Sequence, residues 1–196
     1  MSLFIALEGP HGVGKARLAA ELSQSLGDVG LTAVNVSDPG TTDLGHELRE
    51  MLLTRVDVEA NAEAQALMFL AAKVQLWEEV VGPALDADQV VIADRWHLST
   101  LVHQGMLLGD QDIRGLISRV LGNRRPDLNI VLIGEQKDHI EDSRFEKNLE
   151  VGYMNYCYNC VEGSAADLIY RYDTSIKSMN SIAESVFSIV MQKLET

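Results

Sequence analysis

Two rhythms of apolar residues run through this chain. Short, largely apolar stretches at 4–7, 31–36, 89–94, 128–133 and 166–172, the second rich in β-branched residues, predict buried strands. Between them the apolar residues recur at helical spacing, first as Leu18, Leu22 and Leu26, then as Leu67, Leu70, Ala71, Val74, Trp77 and Val81. The second series predicts one long helix over 62–85, since neither glycine nor proline interrupts it before Gly82-Pro83. A helix over 44–54 with Asp43 as its N-cap, helices reaching Leu121 and a closing amphipathic helix over 178–194 complete the pattern. Gly30 and the run Ser37-Asp-Pro-Gly-Thr-Thr42 read as turns. Strands separated by helices predict an α/β fold with a parallel sheet and right-handed crossovers.

Composition narrows the class. A chain of 196 residues, 46% hydrophobic, can bury one sizeable core, and without a Pro/Ser-rich linker or internal repeat a single domain over 1–196 is expected. No apolar run is long enough to span a membrane and no basic-then-apolar signal opens the chain, so a cytoplasmic protein without a membrane partner is expected. A net charge of −13 argues against a nucleic-acid partner, whose backbone needs a concentrated basic surface, but leaves small anions open to a few well-placed cations. The two cysteines, Cys157 and Cys160, are spaced as a redox pair or half a zinc site, yet they sit among Tyr153, Tyr156, Tyr158 and Val161, which suits a helix packing its wall.

The chemistry begins where the first apolar run feeds Glu8-Gly-Pro-His-Gly-Val-Gly-Lys15. A strand entering Gly-x4-Gly-Lys and then a helix is a phosphate-cradling loop: glycines let the backbone wrap closely, N–H groups and the helix N-terminus point at phosphate oxygens, and Lys15 adds its charge. This motif ordinarily continues with Ser or Thr, whose hydroxyl reaches the nucleotide's magnesium, whereas here Ala16 follows. Asp94-Arg95 stands at the C-terminal end of the third strand, the edge where open α/β sheets bind ligands. Phe69 and Lys73, four apart, lie one turn from each other on the flank of the long helix. They suit either a core edge with a solvated lysine, which periodicity favours, or a cleft. The 135–150 stretch is densely charged, with Lys137, Arg144 and Lys147 among its acids, and reads as a largely helical flap.

These motifs together resemble the thymidylate kinase family, the bacterial type most of all, from Phe4 to about Tyr158. Asp38-Pro-Gly-Thr resembles the family's Glu-Pro-Gly-Gly-Thr segment. The stretch Leu67-Met-Phe-Leu-Ala-Ala-Lys-Val-Gln75, then Gly82-Pro-Ala-Leu, Asp94-Arg95, Leu98-Ser-Thr100, His103-Gln-Gly105, Arg125-Pro-Asp-Leu128 and Ser143-Arg-Phe-Glu146 follow it in order and spacing. The resemblance implies the P-loop nucleoside monophosphate kinase fold, with a five-stranded parallel sheet and a lid over roughly 135–150. It implies ATP and Mg2+ as cofactors, transfer of the γ-phosphoryl to dTMP, and a homodimer built through helices that include the long one. By the same resemblance Gly9, Pro10, His11, Gly12, Val13, Gly14, Lys15 and Ala16 form the ATP loop, with Arg144 from the lid. Lys15, Arg95 and Asp94 would be catalytic, with Arg95 bridging the two phosphates. Arg49 would grip the acceptor phosphate, Phe69 stack on thymine, and Lys73 stand where a base-contacting arginine is usual. Ser99, Thr100, Gln104 and Asp38 would complete the acceptor pocket, and Asp38 and Asp94 would reach magnesium, directly or through water.

The sequence departs from the family at Ala16 and Lys73, at His103 where a tyrosine is common, in a lid with Arg144 as its main arginine and Lys137 or Arg17 as substitutes, and at Gly134, where an acid is usual. Three readings stay open at this level. They are a working kinase for dTMP or a close pyrimidine nucleotide, a nucleotide-binding relative with impaired transfer, and a P-loop kinase for another metabolite.

Overall fold

The computed structural model describes residues 1–55, 59–134 and 169–195. Five strands, β1 (Leu3–Glu8), β2 (Ala33–Ser37), β3 (Val90–Asp94), β4 (Leu128–Ile133) and β5 (Ile169–Asp173), form one sheet in the order β2-β3-β1-β4-β5. Every pairing is parallel, with Ile5 beside Ile92 in one register and beside Leu128 in the other. This five-stranded parallel sheet flanked by helices is the α/β architecture expected from the pattern of runs.

Alternation along the strands assigns the two faces. Leu3, Ile5 and Leu7 of β1 and Leu128, Ile130 and Leu132 of β4 point to one side, where α1 (Lys15–Asp28) and α7 (Met179–Leu194) cover them with Leu18, Leu22, Ile182 and Val186. Leu22 is fully buried there, and its truncation to alanine would cost about 2 to 5 kcal/mol. Phe4, Ala6, Val91 and Ala93 point to the other side, against Leu76, Val81 and Trp96. The rings of Trp77 and Trp96 meet Phe4 edge-on, with centroids 5.8 and 5.1 Å away. On that side α3 (Ala62–Leu76), α5 (His97–Leu108) and α6 (Asp110–Leu121) share a cluster with Val131 and Ile133. Among the described residues no helix is long and apolar enough to cross a membrane.

Several boundaries differ from the sequence expectation, each for a local reason. Leu31 is not in β2: its N–H bonds to Leu26 O in the turn closing α1, and its side chain packs on the core from there. The N-cap of α2 (Asp43–Arg49) is Thr42, whose Oγ1 accepts from Gly45 N at 3.0 Å, while Asp43 favours the first turn by its charge. A π-helical turn, Glu50–Thr54, continues α2. The long helix over 62–85 also contains a π-helical turn, Trp77–Val81, before the short α4 (Gly82–Asp86). Gly82 N bonds back to Trp77 O, and this wider turn lets the chain continue into Pro83, which has no N–H to offer. The expected lid with Lys137, Arg144 and Lys147, the first residues of the 166–172 run, and Cys157 and Cys160 lie outside the described residues.

Candidate active site

The loop after β1 is built around its glycines. Gly9 has φ +134°, and a Cβ there would collide with the carbonyl oxygen of Leu132 on β4, so only glycine lets the loop leave the sheet this way. Gly14, at φ +99°, is the N-cap of α1 and provides no side-chain cap, and no acid sits in the first turn. The opening amides of that helix therefore keep their appetite for an anion. Val13 is buried in the core and pins the loop, while His11 and Ala16 are exposed. Lys15 folds back under the loop, its ammonium donating to Gly9 O at 3.1 Å and Pro10 O at 2.6 Å.

Strands β1, β2 and β3 end side by side, with Ser37 level with Asp94, and the chain after β2 is tied to β3 by Asp38 N donating to Asp94 O at 3.1 Å. Arg95 takes φ +75°, a left-handed conformation costing a non-glycine residue about 1 to 3 kcal/mol, and its N–H is held by Leu7 O at 2.9 Å. Such strain at a strand end is a mark of a functional residue. Its guanidinium donates to Ser99 Oγ at 3.2 Å, and Ser99 in turn donates to Glu8 Oε2. Glu8 is wholly buried, and the loop motif by itself gives it no role. A carboxylate closing an otherwise apolar buried strand was the signal that marked it.

The opposite wall comes from α2, α3 and α5. Lys73, predicted on the flank of the long helix, is not solvated: it is buried and its Nζ lies 2.5 Å from Asp38 Oδ2. The same ammonium stands 5.8 Å from the centroid of the Phe69 ring. Phe69 is half-buried and belongs to none of the three core clusters of the described residues, so it projects beside the core rather than into it. Arg49 donates to Pro39 O at 3.1 Å, which brings α2 onto the turn that carries Asp38. Ser99, Thr100 and Gln104 lie buried on α5.

The charged groups among these act on one another. Burial pushes Asp38 up to about 6, against the pull of Lys73 and, more weakly, Arg95, with Glu8 adding to the rise. Burial also pushes His103 down to about 3, helped by the charges of Arg95, Lys15 and Lys73. Three cations from the phosphate loop, the end of β3 and the last turn of α3 thus act on one imidazole, which stays neutral at ordinary pH. Around them Asp94 Oδ1, Thr100 Oγ1 and both amide atoms of Gln104 are buried without a hydrogen-bond partner among the described residues. Buried polar atoms are normally satisfied, so exceptions at the end of β3 and on the α5 helix that follows it fit a polar ligand. For magnesium, the described residues contain no group of three or more His, Cys, Asp or Glu side chains able to hold an ion. Asp94 Oδ1, without a donor, is an acceptor that suits an ion carried in on phosphates, whereas Asp38 is engaged by Lys73.

Comparison with known proteins agrees with this geometry. The family model described as thymidylate kinase matches residues 7–181. The thymidylate kinase of Chlamydia muridarum is 36% identical over 152 residues, 76% of this chain and 74% of its own. That of Bacillus velezensis is 30% identical over 168 residues, 82% of this chain and 79% of its own. The crystal structure of thymidylate kinase from Ehrlichia chaffeensis superposes with a TM-score of 0.78 at 20% identity, covering 96% of this chain and 98% of that one, and so shares its fold. With the phosphate loop, the strand-end Asp-Arg pair and the sheet order all in place, the match over most of its length shows that this chain belongs to the thymidylate kinase family.

Proposed function

We propose that this protein is a single-domain kinase that transfers the γ-phosphoryl group of ATP to dTMP, giving ADP and dTDP. The observation that carries the reading is that Lys15, Arg95 and Lys73, from three separate elements, all act on the imidazole of His103, with Lys73 also 5.8 Å from the centroid of the half-buried Phe69 ring. Transfer of this kind needs alignment and charge neutralisation rather than a covalent intermediate. The α1 amides and Lys15 hold the donor phosphates, and Arg95 reaches between donor and acceptor, where it stabilises charge as it moves to the bridging oxygen. Arg49 holds the acceptor phosphate with a planar fork. Phe69 stacks on the base, Lys73 donates to a base carbonyl, and Gln104 and Thr100 satisfy its remaining polar edge or the sugar. Asp94 would be the protein acceptor for a magnesium ion arriving with ATP, which would supply neutralisation of phosphate charge, and Ala16 offers it no hydroxyl.

The protein works in the cytoplasm as a homodimer. Leu44, Leu53 and Leu67, exposed on α2, its π turn and α3, supply apolar surface for a second copy. The test of the activity is ADP release from ATP with a panel of nucleoside monophosphates. Turnover with dTMP should exceed that with purine monophosphates by orders of magnitude, and a protein that binds ATP but phosphorylates no pyrimidine monophosphate would refute the assignment.

A further inference from the structure

Glu8 is the last residue of β1 and is wholly buried, a costly place for a carboxylate unless its oxygens are fully used. Both are engaged: Oε1 accepts from the backbone N–H of Trp96 at 3.0 Å and of Leu98 at 3.1 Å, the N-cap and second residue of α5, and Oε2 accepts from the Ser99 hydroxyl. Ser99 Oγ itself accepts from Arg95 Nη1 at 3.2 Å. The residue before Glu8 holds Arg95 too, since Leu7 O accepts Arg95 N at 2.9 Å. The residues after it open the phosphate loop, where Gly9 O and Pro10 O hold Lys15. One end of one strand therefore fixes the strained backbone of Arg95, the direction of its side chain and the lysine of the loop.

We propose that Glu8 is a positioning residue for phosphoryl transfer, orienting the Arg95 guanidinium through Ser99 while it anchors the start of α5. Satisfying the α5 amides alone would not need a charged group from another element, because a Ser or Asp at the N-cap does this locally, and Trp96, which stands there, has no such side chain. A carboxylate brought from β1 does more: its second oxygen sets the direction of the Ser99 hydroxyl, and the remaining lone pairs of that hydroxyl face Arg95. An arginine held by a relay keeps its fork in place before substrate arrives, which spares reorganisation during transfer. The proposal rests on the reading of Arg95 as the group between the two phosphates.

The test uses Glu8→Gln, which keeps the volume and one accepting oxygen but puts a donor against Ser99. Expected is a fall in kcat of about tenfold or more, with KM for ATP and dTMP within about threefold of wild type, the split of a transition-state effect. Glu8→Gln added to Arg95→Ala should cost no more than about a further twofold, since both changes remove one unit. Should Glu8→Gln not fold, Ser99→Ala serves, and it should likewise lower kcat rather than raise KM for dTMP. Full additivity with Arg95→Ala, or a folded Glu8→Gln enzyme with wild-type kcat, overturns the proposal while leaving the kinase assignment intact. A wild type that phosphorylates no pyrimidine monophosphate refutes that assignment instead. The proposal is then decided by relaxation of the Arg95 side-chain N–H signals, which should show greater mobility in Glu8→Gln, and equal order in the two proteins overturns it.

Discussion

The Lys73 ammonium lies 2.5 Å from Asp38 Oδ2, and only 1% of either side chain is exposed, so α3 and the turn after β2 are joined by a charge pair inside the molecule. The pair is held by charge and enclosure, and its members depend on one another. Asp38→Asn should destabilise the fold by about 3 to 5 kcal/mol by leaving a buried ammonium unpaired, and adding Lys73→Met should recover most of that loss. Chemical denaturation of the two singles and the double measures the coupling, and strict additivity would count against it. If Lys73 is the base donor proposed above, the double variant should still bind dTMP more weakly than wild type.

Lys15→Ala should lower turnover by at least about a hundredfold, the scale of losing a preorganised charge at a phosphate. Lys15 also ties Gly9 O and Pro10 O, so about 1 kcal/mol of stability should go with it. Steady-state kinetics at saturating ATP, beside a melting curve, separates the two effects. Wild-type turnover in this variant would remove the loop from the mechanism.

Phe69→Ala should cost about 1 to 3 kcal/mol of dTMP binding, the usual worth of a base stacked on a ring. The ring belongs to none of the three core clusters of the described residues, so the melting temperature should move little. Calorimetric titration with dTMP gives the number, and a folded variant of unchanged affinity would return Phe69 to a packing role.

His103 and Asp38 pull the pH dependence of stability in opposite directions. The folded value of His103 near 3 lies below the ordinary 6.5, so between those values the unfolded chain binds more protons than the folded one and stability falls as pH falls. Asp38, raised from 3.8 to about 6, works the other way in the overlapping window, its contribution being greatest at low pH and fading as pH rises. Replacing the imidazole isolates the first effect. His103→Gln should lose about 1 to 2 kcal/mol less stability than wild type between pH 6.5 and 5. Parallel curves for the two proteins would show that His103 does not titrate in this way.

Ala16 stands in the first turn of α1 where the loop motif ordinarily carries a hydroxyl. Ala16→Thr should lower the magnesium concentration needed for half-maximal rate by roughly tenfold, one added ligand among six on an ion that keeps several waters. The exposed position accepts the larger side chain without repacking. An unchanged magnesium dependence would mean that the metal is held wholly by the nucleotide and the carboxylates.

Much of this was legible before folding. The alternation of apolar runs and helical stripes determined the strands and helices, because burial on both faces of a central strand and on one stripe of a helix leaves a periodic record. Gly9, Gly12, Gly14 and Lys15 determined the phosphate loop, because close backbone wrapping admits few other residues. Their order with Asp94-Arg95 and the 67–75 segment determined the family. Pairing across the chain was not legible. Nothing in the spacing of Lys73 told a solvated lysine from one buried against Asp38, 35 positions earlier, since only the packing of α3 on the turn after β2 excludes the water. Glu8 read as one more residue of a loop motif until the parallel register set β1 beside β3 and brought the first turn of α5 over its carboxylate. The neutrality of His103 belongs to the fold in the same sense, because desolvation and three cations from separate elements add only once the strands lie side by side.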